Sequence, residues 1–486
     1  MTVRLEVLAA EEIQAIHEAA LDVLSRVGMR LELSRARRLA ADFGCAVDED
    51  TKTVRFPPDV IAAALKTVPR SFTLYGADPA YTMPIEPERR WFAPNGAPTA
   101  VLDFGAPGVR PATMKDVYDH LVIAEHLPHI DALNMPLWPT DIPMTTIHTE
   151  TMAAWAANCA KPFSMAGYGV MATTDMIRML EVVTGGSGAL SRRPPFIGIV
   201  NATSPLTADR LQAEGLTLFS ESGIPVVVGP QAMAGTTAPV TLSALMVQHN
   251  AENLALVAFS QMVRPGAPVF MGSASTVSDM GTGAIAVGAP ETGVITAASA
   301  ALARFYGIPS RGIGAMTDAK DLSPQCFVER TASTLTAALG GVSFQIAAGT
   351  LESIGCSSAE LLVIDNEMIG MVKRIVSGID PGGIEGAVEL IAEVGPGGSF
   401  LTHPHTQRRF RGEIFVPRLF DRQPREVWEK RGGADTVGRA HEAVGKILAG
   451  HAAREVDPKM LSELNRYHET VKKRSIEEFY GAEWEG

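Results

Sequence analysis

Apolar residues recur along the first 70 residues at steps of three and four, the spacing of a helix with one buried face. One such stripe comprises Ile13, Ile16, Ala20, Leu24 and Val27. Gly28 follows it and suits the left-handed conformation that ends many helices. Further helices are predicted near 35–43 and from Pro57-Pro58 to the residue before Pro69. Short alternating runs with Gly and Pro over 72–104 predict β-hairpins, so 1–128 is interpreted as a helical cap with a β-hairpin insertion.

From about residue 130 the pattern changes to short apolar runs separated by longer amphipathic stretches, which is typical of parallel strands joined by crossover helices. Seven strands are predicted, at 132–137, 162–168, 195–202, 225–229, 268–272, 311–316 and 342–348. Their steady spacing favours an α/β fold of the closed (β/α)8 TIM-barrel type over an open sheet. The eighth strand is expected between Gly386 and Thr402 or from an irregular segment. We predict a barrel domain over 129–421, followed by a charged, helical C-terminal tail over 422–486.

Composition narrows the function. The chain has 486 residues, of which 46% are hydrophobic, and a formal net charge of −12. Because an acidic surface repels phosphate backbones, we expect no nucleic-acid partner. Four scattered cysteines without a Cys-x-x-Cys pair argue against a disulfide scaffold and favour the reducing cytoplasm. The absence of a signal-like N-terminus and of a long apolar run predicts a cytoplasmic protein with no membrane segment.

In a barrel, functional residues lie at the carboxyl ends of the strands. The predicted strand ends supply Trp138, Tyr168, Asn201 with Ser204, Gln231, Ser273, Asp318 with Lys320, and Glu352. This set is mostly neutral. Because His403 and His405 have no third metal ligand at a recognisable spacing, we expect no metal and interpret them as substrate or loop-packing residues. Cys326, at a predicted helix start, is either a reactive thiol or a small packed residue.

The second half of the barrel carries a series of short motifs in a fixed order. They are Thr317-Asp318-Ala319-Lys320, Gln325 with Glu329, 348–353 (AGTLES), 363–368 (VIDNEM), 393–398 (EVGPGG) and 401–406 (LTHPHT). With these motifs the chain resembles the trimethylamine methyltransferase family over nearly its whole length. The resemblance implies a (β/α)8 barrel that moves a methyl group from a methylated amine to a corrinoid (cobalamin) held by a separate corrinoid-binding protein. It also implies that this chain binds no corrinoid permanently.

The resemblance also bears on the substrate. Archaeal trimethylamine enzymes of the family use pyrrolysine near the segment that corresponds to 318–329, whereas this chain has ordinary residues there. Members without pyrrolysine resemble quaternary-amine demethylases, for which glycine betaine is the reference substrate. A quaternary ammonium already carries positive charge and leaves as a neutral amine, so positioning the C–N bond and excluding water matter most. The cofactor supplies the difficult chemistry.

From these considerations we assign provisional roles. An aromatic wall for the ammonium is predicted from Trp138, Tyr168 and Phe344. We assign to Asp318 and Glu352 a negative charge that compensates the ammonium, and hence a catalytic role. We assign the binding of a carboxylate end of the substrate to Asn201, Gln231, His403 and His405. The alternatives are a corrinoid methyltransferase for another donor, such as carnitine, proline betaine or a methylated pterin, and a non-catalytic betaine-binding barrel. A homo-oligomer is left open.

Overall fold

The computed structural model describes residues 3–94 and 96–484, and its N-terminal region alternates short helices with short strands. The helices are α1 (Ala10–Arg26), α2 (Ser34–Asp42), α3 (Pro58–Thr67) and α4 (Met114–His126). The strands are β1 (Met29–Leu31), β2 (Ala46–Asp48), β3 (Thr53–Arg55), β4 (Phe72–Tyr75), β5 (Thr82–Ile85), β6 (Trp91–Ala93), β7 (Ala100–Leu102) and β8 (Val109–Pro111). The three predicted helices are confirmed, and β4–β5 and β7–β8 are antiparallel hairpins as predicted.

Strands and helices then alternate to the end of the barrel. The strands are β9 (Leu133–Asn134), β10 (Phe163–Ala166), β11 (Phe196–Ala202), β12 (Thr207–Ala208), β13 (Val226–Pro230), β14 (Met233–Ala234), β15 (Val269–Gly272), β16 (Thr276–Ser278), β17 (Ile285–Ala286), β18 (Ser310–Ile313), β19 (Phe344–Ile346), β20 (Thr350–Leu351) and β21 (Cys356–Ser357). The helices are α5 (Ile147–Asn158), α6 (Val170–Thr184), α7 (Ser187–Arg192), α8 (Arg210–Ser222), α9 (Leu242–Val263), α10 (Pro290–Tyr306), α11 (Pro324–Gly340) and α12 (Ala359–Ser377). All seven predicted barrel strands are present.

The barrel is an eight-stranded parallel sheet in the order β6-β19-β18-β15-β13-β11-β10-β9. Its two ends meet where the carbonyl oxygen of Phe92 in β6 accepts hydrogen bonds from the backbone nitrogens of Asp131 (2.7 Å) and Ala132 (3.2 Å), just before β9. The predicted (β/α)8 barrel is therefore confirmed. Helices cover its outside and a helical cap and tail flank it.

Of the two expected sources of the eighth strand, the segment between Gly386 and Thr402 is wrong, and an irregular segment elsewhere in the chain supplies it. The segment 386–402 contains a helix, α13 (Ala387–Val394), and the eighth strand is β6. Three residues are too short to show a periodicity of their own, and the partner of β6, β19, lies about 250 residues away along the chain. Because β6 precedes residue 129, a boundary at 128/129 separates one barrel strand from the other seven.

Side-chain alternation inside the barrel leaves a space at one end. Inward residues of one level, including Ile197, Val227, Phe270 and Phe344, pack together and close the barrel interior. Two residues further along β13 and β15, the inward positions are Gly229 and Gly272. Because glycine has no side chain, the interior above the packed level stays open toward the carboxyl ends of the strands.

The C-terminal region is helical. Its elements are a 3₁₀ turn (Pro381–Gly383), α13, α14 (Pro404–Glu413), α15 (Arg425–Lys430), α16 (Thr436–Gly450), α17 (Pro458–Val471) and α18 (Ile476–Trp484). Helix α16 packs on α4 and α12, and α17 and α18 pack on α6, so the tail is attached to the barrel wall. Among the residues described, no helix has the length and apolar character needed to cross a membrane.

Candidate active site

A cavity of about 190 Å³ lies at the carboxyl ends of the barrel strands. It is smaller than the roughly 300–1,000 Å³ of sites for drug-sized ligands, so it suits a molecule of few heavy atoms. Four predicted site residues line it together: Trp138, Tyr168, Asn201 and Gln231. The rest of the lining is Gly96, Ala97, Asn134, Met135, Met165, Ala166, Ile199, Ala274, Arg311, Ile313, Ile346 and Ile354. Among the lining residues described, none is an aspartate or a glutamate.

Two aromatic rings form one wall of this cavity. The rings of Trp138 and Tyr168 meet edge to face, with centroids 5.5 Å apart and an interplanar angle of 74°. The backbone nitrogen of Trp138 donates to Pro98 O at 2.9 Å, which holds the loop after β9 across the mouth. Electron-rich ring faces attract quaternary ammonium groups, and the binding role of these two rings stays a prediction.

A buried hydrogen-bond chain orients Tyr168. Its hydroxyl lies 2.7 Å from His148 Nδ1, and His148 Nε2 lies 2.9 Å from Asp175 Oδ2. Burial lowers the pKa of His148, so the ring is neutral and donates to Asp175 while it accepts from Tyr168. Burial also favours the protonated form of Asp175, but hydrogen bonds from His148 and Arg474 outweigh it and keep the pKa of Asp175 below its usual range.

Asp318 lies beside the cavity without lining it. Its carboxylate accepts hydrogen bonds from the backbone nitrogens of Val287 (3.1 Å) and Gly288 (3.0 Å) and from Ser353 Oγ (2.5 Å). These three bonds tie the loop after β17 to the turn between β20 and β21. The geometry shows Asp318 as a positioning residue, and a catalytic role for it stays a prediction.

Glu352 begins an unusual turn. Glu352, Ser353 and Ile354 have φ values of 53°, 53° and 72°, a left-handed conformation that is strained for a β-branched residue such as isoleucine. The turn places Ile354 against the cavity, whereas Glu352 is half-buried outside the lining. The catalytic role of Glu352 stays a prediction.

Three predicted substrate-binding residues do not reach the cavity. Phe344 belongs to the packed level below it, with its ring 5.7 Å from that of Phe270, because it lies two residues before the lining residue Ile346 on β19. His403 caps α14 in the segment between the barrel and the tail, where its Nδ1 accepts from His405 N at 3.1 Å and its Nε2 lies 3.4 Å from Glu393. The motif that contains both histidines thus serves a helix start outside the barrel.

Cys326 is a packed residue rather than a reactive one. It is fully buried near the start of α11, and burial raises its pKa to about 11, so the thiol is protonated at neutral pH. Within the described ranges, no group of three or more His, Cys, Asp and Glu side chains is arranged to hold a metal ion.

Arg311 is the residue that the sequence reasoning missed. It opens the run predicted as the strand 311–316, and two-residue alternation with the lining residue Ile313 points it into the barrel. An arginine at an inward position of an otherwise apolar strand is unusual, so the sequence pattern alone could have identified Arg311 as a candidate site residue. Among the described residues that line the cavity, Arg311 is the one with a charged side chain.

Comparisons with known proteins agree with this geometry. Residues 2–477 match the family model described as trimethylamine methyltransferase (MTTB). The chain is 31% identical to a glycine betaine methyltransferase of Desulfitobacterium hafniense, over 95% of this chain and 96% of that protein. It is 33% identical to the trimethylamine methyltransferase MttB of Methanosarcina barkeri, over 95% and 94% of the two chains.

Solved structures show the same fold at low sequence identity. The crystal structure of the monomethylamine methyltransferase MtmB of Methanosarcina barkeri aligns with a TM-score of 0.50 and 12% identity, over 91% of this chain and 93% of that one. The hydroxylamine complex of MtmB aligns with a TM-score of 0.53 over 92% and 89%. Because the family model matches residues 2–477 and the relatives are more than 30% identical over most of their length, the chain belongs to the trimethylamine methyltransferase family and is a methyltransferase.

Proposed function

We propose that this protein moves a methyl group from a quaternary methylated amine of the betaine class to the Co(I) corrinoid of a separate corrinoid-binding protein. The observation that carries the proposal is the small cavity at the barrel mouth, with an aromatic wall of Trp138 and Tyr168 and no described carboxylate in its lining. Such a cavity attracts a cation through ring faces, and no described carboxylate lines it to take a proton from the ligand.

The chemistry of the leaving group supports a quaternary donor. When the methyl–nitrogen bond of a quaternary ammonium breaks, its electron pair stays on nitrogen, and the product is a neutral tertiary amine. No proton has to be delivered, which fits a lining without a described general acid. The residues of the chain therefore need only bind the ammonium, align one methyl group with the mouth and exclude water.

The segment at 318–329 supports the same class of substrate. In this chain it consists of ordinary residues that bond to one another: Glu329 accepts from Thr317 Oγ1 at 2.7 Å and from Asp318 N at 3.0 Å. The Glu329 carboxylate is therefore hydrogen-bonded within this part of the chain, beside the cavity. A tertiary amine, which is a poor leaving group until it gains positive charge, finds no group here that supplies that charge.

The cavity fits a cofactor presented from outside. Gln231 lines it and is exposed to solvent, so the site opens at the mouth rather than being sealed. A corrinoid bound by a partner supplies a Co(I) nucleophile at that opening. A cytoplasmic location stays a prediction, and assembly into a homo-oligomer stays open.

Methyl transfer to free Co(I) cobalamin tests the proposal. Purified protein is mixed with glycine betaine, carnitine, proline betaine or trimethylamine, and methylcobalamin is followed by its absorbance. We expect turnover with at least one betaine and little with trimethylamine. Robust turnover of trimethylamine with none on any betaine overturns the proposal, and tight betaine binding without any methyl transfer favours a non-catalytic binding protein.

A further inference from the structure

Arg311 is buried in the cavity without an anionic partner. Its side chain is 8% exposed, and no salt bridge to it is found among the described residues. One nitrogen donates to Ser273 O at 3.3 Å, and Nε has no hydrogen-bond partner. Burial lowers the pKa of Arg311 to about 10, so the guanidinium is still charged at neutral pH.

The other buried arginines of the described chain are paired. Arg330 binds Asp365 through two nitrogens, with its Nε 3.0 Å from Asp365 Oδ1, and Arg37 binds Glu49 at 2.7 Å. A buried charge without a partner is costly, and buried polar groups are nearly always satisfied. The missing partner of Arg311 is therefore expected to arrive from outside the chain.

The surrounding residues leave room for such a partner. Arg311 is in register with Gly272 on the neighbouring strand, and Gly229 is the inward residue of the next strand. A Cβ on Gly229 would come no closer than 3.4 Å to another atom, so the space in front of this residue is not filled by the chain. Asn201, which is in register with Gly229, has a side-chain oxygen without a hydrogen-bond partner, so the cavity holds an unsatisfied acceptor as well as the unsatisfied donor of Arg311.

The position of Arg311 in the barrel separates it from the aromatic wall. In the ring of eight strands, β18 lies four strands from β10 in either direction, which places it on the opposite wall. Tyr168 follows β10 directly and contacts Trp138. One side of the cavity therefore carries the positive charge of Arg311. The opposite side carries aromatic ring faces, which can bind a cationic group of a ligand.

We propose that Arg311 binds the carboxylate of a zwitterionic substrate and thereby makes a carboxylate a requirement for tight binding. This inference rests on the proposed function and adds to it the residue that selects the substrate and the orientation in which it binds. The planar guanidinium matches the two oxygens of a carboxylate. With the carboxylate at Arg311, the trimethylammonium group lies against Trp138 and Tyr168. A quaternary amine without an anion leaves the arginine unpaired and is repelled by its charge.

Calorimetric titration of the full chain tests this inference without the corrinoid partner. The ligands are glycine betaine and tetramethylammonium, which share a quaternary nitrogen and differ in the carboxylate. We expect the wild type to prefer glycine betaine by about 10- to 100-fold, the range of one charged hydrogen-bond pair. Arg311→Met should lose that preference, with tetramethylammonium binding unchanged or stronger. Arg311→Lys should retain part of it.

Two controls separate binding from folding. Arg454→Met removes a half-buried arginine outside the cavity lining and should change neither affinity. The melting temperature of Arg311→Met should equal or exceed that of the wild type, because an unpaired buried charge is removed. A lower melting temperature with equal loss of both ligands identifies Arg311 as a structural residue and overturns the inference, as does an unchanged preference.

The two proposals fail in different ways. If the wild type transfers methyl groups from a betaine but Arg311→Met keeps the wild-type preference, the carboxylate assignment is wrong and the function stands. If the wild type shows the Arg311-dependent preference but transfers no methyl group, the assignment stands and the methyl-transfer function is wrong.

Discussion

At the scale of single residues, the aromatic wall is the feature closest to the reacting group. Trp138→Ala should weaken glycine betaine binding by about 2- to 30-fold, because one well-placed ring contributes roughly 0.5–2 kcal/mol and about 1.4 kcal/mol corresponds to a factor of ten. Trp138→Phe should recover part of the loss. Titration calorimetry measures both. If Trp138 only packs the mouth loop, the alanine variant will melt at a lower temperature with no specific change in affinity.

Buried histidines make a second prediction at the residue scale. Burial lowers the pKa of His249 to about 3 and also lowers the pKa values of His120 and His148, whereas the unfolded chain titrates near 6.5. Groups with depressed pKa values stabilise the fold fully above 6.5, and this contribution is lost as the pH falls toward the folded-state value. The free energy of unfolding should therefore decrease between pH 6.5 and 5, by up to about 1.4 kcal/mol per pH unit for each histidine.

Urea unfolding at several pH values measures this decrease. His249 is surrounded by Ser275, Ser299 and Asn253, so no described carboxylate bonds to it and compensates its protonation. His249→Gln should reduce the pH slope by about one proton. The same slope in the variant and the wild type would contradict the assignment.

At the scale of elements, the loops that carry the family motifs hold one another in place. Asp318 joins the loop after β17 to the β20–β21 turn, and Glu329 fixes the backbone of Asp318. Asp318→Asn replaces one acceptor oxygen by an amide that faces backbone N–H donors. We expect a loss of about 1–3 kcal/mol of stability, the range for hydrogen bonds to a charged group.

Thermal unfolding and methyl-transfer kinetics distinguish positioning from catalysis. Asp318→Asn should lower the melting temperature and reduce kcat by less than about tenfold. Ser353→Ala, which removes one donor to the same carboxylate, should have a smaller effect in the same direction. An unchanged melting temperature with a kcat reduced by 100-fold or more would support the catalytic role predicted for Asp318.

At the scale of the whole molecule, the C-terminal tail supports the site from outside the barrel. Tyr467 donates to Asp175 at 2.8 Å and Arg474 at 2.6 Å, and Asp175 in turn orients His148 and Tyr168. The tail thus adds hydrogen bonds, one of them from the charged Arg474, to the bond from His148 that keeps the pKa of Asp175 below its usual range. The aromatic wall is thus connected through Asp175 to Tyr467 and Arg474 of the tail.

Metal content is also a property of the whole chain. We expect purified protein to carry no stoichiometric zinc, because His403 caps a helix and its Nε2 faces only Glu393 among the described residues. Elemental analysis of the purified protein checks this. One zinc per chain in the wild type, absent from His403→Ala, would show that the motif binds metal.

The sequence by itself determined the alternation of strands and helices, the barrel class and four residues of the cavity. Each follows from a local rule: a period of two or 3.6 residues marks the elements, and parallel strands bring their carboxyl ends to one edge. Four residues meet because they lie at or just after the carboxyl ends of four different strands: Trp138, Tyr168, Asn201 and Gln231.

Only the tertiary structure decided how deep each side chain lies in the barrel, which strand closes the barrel and which charged groups meet. Phe344 and Ile346 share one face of β19, yet one packs below the cavity and the other lines it, because depth depends on how neighbouring strands are staggered. Strand β6 closes the barrel through partners far away in the sequence. Arg311 has no anionic partner for the same reason: which charges meet inside a barrel depends on the strands that face each other, and no local pattern records that.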